Sequence, residues 1–367
     1  MNQYCAQTVH KTVLIFPACM PLALDYLKRA QGEGYTIIGA SSLSHDPVRV
    51  EYPAWLYLPY VHHPEFDEAL ATAIRAHAIT DIYSPHPVVW DYLQRALQDM
   101  TSTVALVNAS PVHAELEVFR SAQRRAQDVL QRALPLATAT PPKPDLGLLR
   151  IASLYRHVEG IPGMCDHEKL RALHEIARSC PDGDVVEIGT WWGKSAFALL
   201  RLAREFGIGR LLCVDPWSDA GLVSAGAHAL VASTFADVSA QEAFNVFLLN
   251  LLPYANGHIN YLRMTSAQGC VRYQTSSTIH SPEFGSVPYQ GHIALLHIDG
   301  NHSYENARAD MDAWGSMVMP GGWIVLDDYT WSFGDGPKRV GDEFLATHHA
   351  RIETAFVMGG ALFIRLV

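Results

Sequence analysis

The sequence lacks the features that would place a protein in a membrane, on nucleic acid or in a secretory pathway. No apolar run approaches the ~20 residues that a helix needs to cross a bilayer. Positive charge is scarce, because 27 Lys and Arg residues face 37 Asp and Glu residues and the net charge is −10. Phosphate binding needs a basic face, so this balance argues against nucleic acid as the main partner. The first residues also lack the charged and apolar stretches of a secretory signal, and we expect a cytoplasmic protein.

Cysteine is present but is not arranged for metal binding or cross-linking. The six cysteines lie far apart, without C-x-x-C spacing, at Cys5, Cys19, Cys165, Cys180, Cys213 and Cys270. This pattern favours neither zinc ligation nor a disulfide framework, and it is typical of a reducing compartment. At 367 residues, two domains are expected.

Strand and helix patterns alternate through the first part of the chain. Strands are predicted at residues 12–16, 35–39, 56–60, 81–83 and 104–107, and helices at 22–30 and 65–77. Alternation at this pace predicts a parallel sheet with helices on its faces. Ser110 and Pro111 are suited to cap and begin a further helix, and the Pro-rich stretch 140–144 is a stiff connector. We therefore assign a small α/β domain to residues 1–110, a helix and linker to 111–148, and a second domain to 149–367.

The second domain repeats the alternation and ends in a hairpin. Helices are predicted at 149–158 and 167–178, and strands at 185–188, 211–214, 259–262, 293–298, 323–326, 354–358 and 361–366. Gly359-Gly360 joins the last two strands, which predicts an antiparallel β-hairpin. Residues 216–240 and 271–290 are predicted as irregular insertions beside a ligand crevice, and 331–339 as another loop there. The predicted fold class is α/β, with a mostly parallel Rossmann-like sheet, a terminal antiparallel hairpin and a smaller α/β domain before it.

A turn with two glycines follows the first strand of the second domain. Residues 187–195, Glu-Ile-Gly-Thr-Trp-Trp-Gly-Lys-Ser, precede an apolar helix. Glycine lets the backbone approach a ligand closely, and the helix N-terminus favours negative charge. Three residues separate Gly189 from Gly193-Lys194-Ser195, one fewer than a phosphate-binding P-loop needs, and the spacing is not the G-x-G-x-x-G of dinucleotide sites. A nicotinamide-dependent oxidoreductase is therefore disfavoured.

The arrangement of an acid, this turn and a second acid ending the next strand resembles the class I S-adenosylmethionine-dependent methyltransferases. The turn expected at Met319-Pro320-Gly321-Gly322 and the terminal hairpin match the same fold. In that family the acid ending strand two holds the ribose hydroxyls, which implies this role for Asp215. One departure is that Ser195 stands where the family usually has its third glycine. The resemblance implies S-adenosylmethionine as cofactor, with contacts from Glu187, Gly189, Thr190, Gly193, Ser195, Asp215, Ser266 and Asp299.

Three carboxylates and an imidazole follow the fourth and fifth strands of this domain. Asp299 and His302 follow one strand, and Asp327 and Asp328 follow the other. Because the carboxyl ends of parallel strands line one crevice, these side chains are expected to converge. Hard oxygen ligands of this kind hold Mg²⁺ or Mn²⁺, and the histidine is placed to accept a proton. A helix cap or a solvated turn is the alternative interpretation of each group.

This spacing resembles the Mg²⁺-dependent O-methyltransferases that act on sugar hydroxyls of macrolide antibiotics. In those enzymes the first acid and the paired acids bind the metal and the histidine is the base. The resemblance implies metal ligation by Asp299, Asp327 and Asp328, and a catalytic role for His302. Catechol-type methyltransferases usually have lysine and asparagine at the positions of His302 and Asp328. The resemblance thus implies a metal-dependent O-methyltransferase that acts on a hydroxyl of a small molecule, such as a sugar or a natural product.

The first hundred residues resemble the small Rossmann-like domain that precedes the catalytic part of ATP-grasp ligases. The likeness is one of pattern, in residues 13–19, 36–39 and 82–85, and the nucleotide-binding module of those ligases does not follow it in the sequence. ATP use is therefore not assigned. The alternative to an enzyme is a catalytically silent S-adenosylmethionine-binding sensor or scaffold. No nucleic acid or membrane partner is expected, and a homo-oligomer is compatible with the sequence.

Overall fold

A computed structural model describes residues 11–100, 102–132, 134–218 and 237–367. The chain divides into two compact units, Met1–Arg120 and Ser121–Val367. The boundary between them falls within helix α4 (Pro111–Gln131). This helix begins at Pro111, as the sequence predicts, because a proline needs no N–H partner in the first turn of a helix.

The first unit holds a parallel sheet. Its strands are β1 (Thr12–Ile15), β2 (Thr36–Ser41), β3 (Trp55–Tyr57), β4 (Asp81–Tyr83) and β5 (Ala105–Leu106), in the order β3-β2-β1-β4-β5. Its helices include α1 (Pro21–Gly32), α2 (Phe66–His77) and α3 (Pro87–Asp99). Leu27 of α1 packs on one face of the sheet, whereas Leu70 of α2 and Leu93 of α3 pack on the other. The predicted parallel sheet with helices on both faces is confirmed.

The second unit is built on a larger mixed sheet. Its strands are β6 (Asp184–Ile188), β7 (Leu211–Val214), β8 (Ile259–Leu262), β9 (Thr278–Ser281), β10 (Gly285–Pro288), β11 (Ile293–Ile298), β12 (Val318–Leu326), β13 (Ile352–Met358) and β14 (Ala361–Leu366). Seven of them form one sheet in the order β13-β14-β12-β11-β6-β7-β8. Strand β14 is antiparallel to both β12 and β13. The predicted fold class, a mostly parallel sheet with a terminal antiparallel hairpin, is confirmed.

Helices cover both faces of this sheet. They include α5 (Leu148–Glu159), α6 (His167–Ser179), α7 (Lys194–Glu205), α8 (Ala240–Leu251), α9 (Ser266–Thr275), α10 (Tyr304–Trp314) and α11 (Gly336–Thr347). Val185 of β6 faces the core formed with α5 to α8, and its neighbour Val186 faces the core formed with α9 to α11. Successive strand residues point to opposite faces, so continuous apolar strands bury both sides of the sheet.

Two local predictions were wrong. Residues 271–290 are not an irregular insertion, because they contain the end of α9 and the antiparallel hairpin β9–β10. The expected turn at residues 319–322 lies inside β12, where the pairing with β11 shifts register. Of the loop predicted at 331–339, the last residues begin α11. Most of the insertion predicted at 216–240 lies outside the described residues.

None of the helices within the described ranges has the length and apolar character needed to span a membrane.

Candidate functional site

The strand ends β6, β7, β11 and β12 meet at one edge of the larger sheet, because these strands are neighbours. The backbone ladder continues one residue past each strand. The N–H of Asp299 donates to Ile188 O at 2.8 Å, and the N–H of Asp327 donates to Ile298 O at 2.9 Å. The N–H of Gly189 donates to Val214 O at 2.9 Å. These hydrogen bonds therefore fix the backbone of the predicted acids and of the start of the glycine turn at one edge of the sheet.

Both glycines of the turn are required by its path. Gly189 has φ +79°, and a Cβ there would lie 2.1 Å from the carbonyl oxygen of Asp299. Gly193 has φ +86°, and a Cβ there would lie 2.7 Å from Leu251 Cδ2. Residues that carry a side chain rarely adopt this backbone conformation, and a Cβ at either position would come too close to neighbouring atoms. The turn thus brings its backbone directly against the segment that carries Asp299.

The Asp215 carboxylate organises this turn. Its Oδ2 accepts hydrogen bonds from the N–H groups of Thr190 at 2.9 Å and Trp191 at 3.0 Å. Its Oδ1 accepts one from the N–H of Trp217 at 2.7 Å. Trp191 and Trp217 both have positive φ, +51° and +36°, which is a costly conformation for a large side chain. A carboxylate has about four acceptor positions, so Asp215 retains one after these three contacts.

Glu187 lies beneath the turn rather than on its surface. Its side chain is fully buried, and Oε1 lies 3.1 Å from Nδ1 of His297, also fully buried. These two residues are cross-strand partners in the β6–β11 pairing. Burial raises the pKa of Glu187 to about 7. Burial, followed by the positive charge of Lys169, lowers the pKa of His297 to about 3 and keeps it neutral.

Three other residues predicted to contact the cofactor are buried or hydrogen-bonded within the protein. Thr190 and Ser195 are buried, in the turn and in the first turn of α7. Ser266 begins α9, and its hydroxyl accepts a hydrogen bond from Trp314 Nε1 at 3.0 Å. Contact of these residues with a cofactor stays a prediction.

The predicted acids and His302 lie close together in two overlapping groups. Asp299, His302 and Asp328 each offer an atom within 4.8 Å of the others, and so do His297, Asp299 and Asp327. The predicted metal trio of Asp299, Asp327 and Asp328 is thus divided between the two groups, which share Asp299. Oxygen and imidazole ligands suit a divalent cation such as Mn²⁺, and the first group fits one.

His302 and Asp328 form a hydrogen-bonded pair. His302 Nε2 lies 2.8 Å from Asp328 Oδ2. Burial lowers the pKa of His302, but the hydrogen bond and charge of Asp328 raise it by more, and the net shift is upward. Asp328 has φ +52°, a backbone conformation that is unusual for a residue with a side chain and that is found most often at functional sites. The ring of Trp331 packs edge-on against His302 with 4.5 Å between ring centroids. The imidazole is therefore held in a defined orientation.

Lys169 was missed in the sequence prediction. It lies in the first turn of α6, its side chain is 2 % exposed, and its Nζ makes an ion pair with Asp327 Oδ2. The same Nζ lies 3.7 Å from Asp299 Oδ2. Sequence patterns give no indication of this contact, since a lysine in a helix with alternating charges is usually solvated. His297 was also missed, although a single histidine in a wholly apolar strand is an observable feature.

Residues 186–329 match a family described as a methyltransferase domain. The O-methyltransferase NovP is 17 % identical over 54 % of this chain and 79 % of its own, with a TM-score of 0.40. CalS11, a TDP-rhamnose 3′-O-methyltransferase of calicheamicin biosynthesis, is 15 % identical over 71 % of this chain and 96 % of its own, with a TM-score of 0.36. MycE, from the mycinamycin pathway and solved with Mg, SAH and mycinamycin VI, is 14 % identical over 53 % and 47 %, with a TM-score of 0.32.

These structural likenesses are weak, and the assignment rests on the family match. That match begins within β6 and ends just after β12, and it therefore contains the glycine turn, Asp215, and the acids that follow β11 and β12. The resemblance to methyltransferases inferred from the sequence is confirmed. Residues 186–329 of the second unit are thus similar to a methyltransferase domain.

Proposed function

We propose that the protein is an S-adenosylmethionine-dependent O-methyltransferase that modifies a hydroxyl group of a small molecule, such as a sugar or a natural product. The observation that carries this proposal is the convergence of Asp299, His302 and Asp328 beside the glycine turn and Asp215. A cofactor-binding turn and an acid–base pair at the same sheet edge are what methyl transfer to a hydroxyl requires. Bound S-adenosylmethionine supplies an electrophilic methyl group on a positively charged sulfur.

The cofactor is proposed to lie along the turn between β6 and α7. Asp215 has one acceptor position beyond its three backbone partners, which suits a ribose hydroxyl. The methionine portion is proposed to lie against the backbone of this turn, whose path Gly189 and Gly193 make possible. The N-terminus of α7, which begins at Lys194, favours the methionine carboxylate through the helix dipole. Glu187 is proposed to act on the cofactor site from the buried side of the turn, since its carboxylate is fully buried.

His302 is proposed as the general base. Its Nε2 faces Asp328, so the tautomer with the proton on Nε2 leaves Nδ1 free to accept the proton of the substrate hydroxyl. Asp328 then stabilises the imidazolium that forms, as a carboxylate does for histidine in other acid–base pairs. Such help is typically worth ~10²–10⁴ in rate. The remaining acceleration comes from holding the oxygen in line with the methyl carbon and sulfur.

A divalent cation, Mg²⁺ or Mn²⁺, is proposed at the same site. Asp299 and Asp328 are the acids that fit it best, because each offers a carboxylate oxygen and these oxygens lie within reach of one ion. Asp327, the third predicted ligand, is already ion-paired with Lys169. When bound, such a cation would lower the pKa of a coordinated hydroxyl by several units.

The test is methyl transfer from methyl-labelled S-adenosylmethionine to a panel of hydroxylated sugars and natural products, with and without a chelator. We expect label on an oxygen of at least one compound, loss of transfer in the chelator, and a large rate loss in His302→Ala. His349→Ala is the matched control, because His349 is exposed and its Nδ1 bonds only a local carbonyl at 3.3 Å. Tight cofactor binding without transfer to any compound would favour a silent binding protein instead.

A further inference from the structure

Lys169 is a buried charge that the proposed reaction does not use. Its side chain is 2 % exposed, and it reaches the predicted metal site from α6, an element outside the strands that carry the acids. Its ammonium contacts Asp327 and lies 3.7 Å from Asp299. Burying an ammonium is expensive unless carboxylates surround it. The position therefore requires a reason beyond general packing.

The cap of α6 and the hairpin formed by β13 and β14 both hold the backbone of Lys169 in place. Its N–H donates to Oδ1 of Asp166, the residue that caps α6, at 2.7 Å. From the other side, the hairpin turn between β13 and β14 packs so closely that a Cβ on Gly359 would lie 2.3 Å from the Lys169 nitrogen. The side chain thus leaves a rigid point and extends into the acids. The ammonium is placed there by the framework and is not a surface group that happens to fold inward.

Two carboxylates lie beside the ammonium of Lys169, with Asp327 in direct contact and Asp299 at 3.7 Å. Asp327 is itself only 8 % exposed, so the ion pair shields two groups that would each be costly alone. One of the three predicted metal ligands is therefore already neutralised by a cation of the chain itself.

We propose that Lys169 is a positioning residue that holds Asp327 as a permanent ion pair, so that a divalent cation is bound by Asp299 and Asp328 alone among the acids and binds less tightly than three free carboxylates would bind it. This inference rests on the proposed metal site. It predicts a specific response: neutralising Lys169 without changing its shape frees Asp327 and removes a like charge beside the cation. Metal affinity then rises, whereas the loss of a merely structural residue would leave it unchanged or lower it.

The experiment measures Mn²⁺ binding to the full-length protein by electron paramagnetic resonance, with Mn²⁺ as the only added ligand. The variants are Lys169→Met, which keeps the length without the charge, and Lys169→Arg, which keeps the charge. Lys143→Met is the matched control, since Lys143 bonds the carbonyl of Phe206 at 2.7 Å, in another part of the same unit. We expect Lys169→Met to bind Mn²⁺ at least ten-fold more tightly than the wild type, and the other two variants to match the wild type.

Thermal melting provides the second readout. Lys169→Met leaves Asp327 unpaired, so its melting temperature should fall without metal and recover with Mn²⁺ by more than the wild type gains. If Lys169→Met does not fold, Lys169→Gln, which can still donate to Asp327, replaces it in both measurements.

Three results would overturn the inference. The first is Lys169→Met binding no tighter than the wild type. The second is an equal gain in Lys169→Arg, which would mean that charge is not the cause. If wild-type Mn²⁺ binding and chelator-sensitive transfer persist in either case, the proposed function stands without the inference. The third is the absence of Mn²⁺ binding in the wild type and in every variant, which would also contradict the proposed metal site.

Discussion

Replacing Asp215 by alanine tests how the glycine turn and the proposed cofactor site depend on each other. The substitution removes the acceptor of three backbone N–H groups, at 2.9, 3.0 and 2.7 Å. Hydrogen bonds to a charged group contribute about 1.5–3 kcal/mol each, and water replaces part of this because Asp215 is half-buried. We expect a loss of about 2–4 kcal/mol in the free energy of unfolding.

Such a loss corresponds to a fall of about 5–15 °C in the melting temperature of a domain of this size. The affinity for S-adenosylhomocysteine should fall by about 10–100-fold, because the proposed ribose contact and the ordered turn are lost together. Differential scanning fluorimetry measures the first effect and isothermal titration calorimetry the second. Asp182→Ala is the control, since the Asp182 side chain is 82 % exposed, and it should change neither quantity.

The two measurements separate the two roles. A lower melting temperature with unchanged affinity would leave the turn explanation intact and refute the ribose contact. Wild-type values of both quantities in Asp215→Ala would refute the whole argument.

Three further predictions address the base, the turn and a buried acid. His302→Ala should lower kcat by about 10²–10⁴-fold at unchanged cofactor affinity. Since Asp328 raises the pKa of His302, the wild-type activity should fall at acidic pH with a midpoint above pH ~6.5. A midpoint below that value would contradict the assignment of His302 as the base. Gly189→Ala should cost about 2–5 kcal/mol in chemical denaturation, because its Cβ would lie 2.1 Å from the Asp299 carbonyl oxygen, and a wild-type midpoint would contradict the turn path. Burial raises the pKa of Asp310 to about 6, so the folded state holds a proton that the unfolded state releases near pH ~3.9, and stability falls as pH rises between these values. Asp310→Asn should therefore stabilise the protein by about 2–3 kcal/mol at pH ~7.5 and by almost nothing at pH ~4, and equal gains at both pH values would show that Asp310 is not the titrating group.

The sheet edge could be predicted from the sequence because buried parallel strands are continuous apolar runs. Residues 211–214, 259–262 and 293–298 form strands with the predicted bounds. Each is followed by a polar group whose position the strand determines. Knowing that parallel strands share an edge was then enough to bring Asp215, Asp299 and Asp327 to it.

The remaining parts of the site depend on contacts that local patterns do not encode. Lys169 and Asp327 are 158 positions apart, and only the packing of α6 against the sheet brings them together. The Glu187–His297 pair follows from the register between β6 and β11, which is defined only when the strand order is known. The β9–β10 hairpin has strands of four residues, too short for alternation to distinguish them from a loop.

The ends of β6, β7, β11 and β12 are proposed to form one site for methyl transfer. The most direct measurement is a crystal structure of the full-length protein with S-adenosylhomocysteine. We predict that its ribose hydroxyls lie on Asp215 and that its sulfur faces the space beside His302 and Asp299. Density for the ligand elsewhere on the molecule, or its sulfur directed away from His302, would contradict the claim.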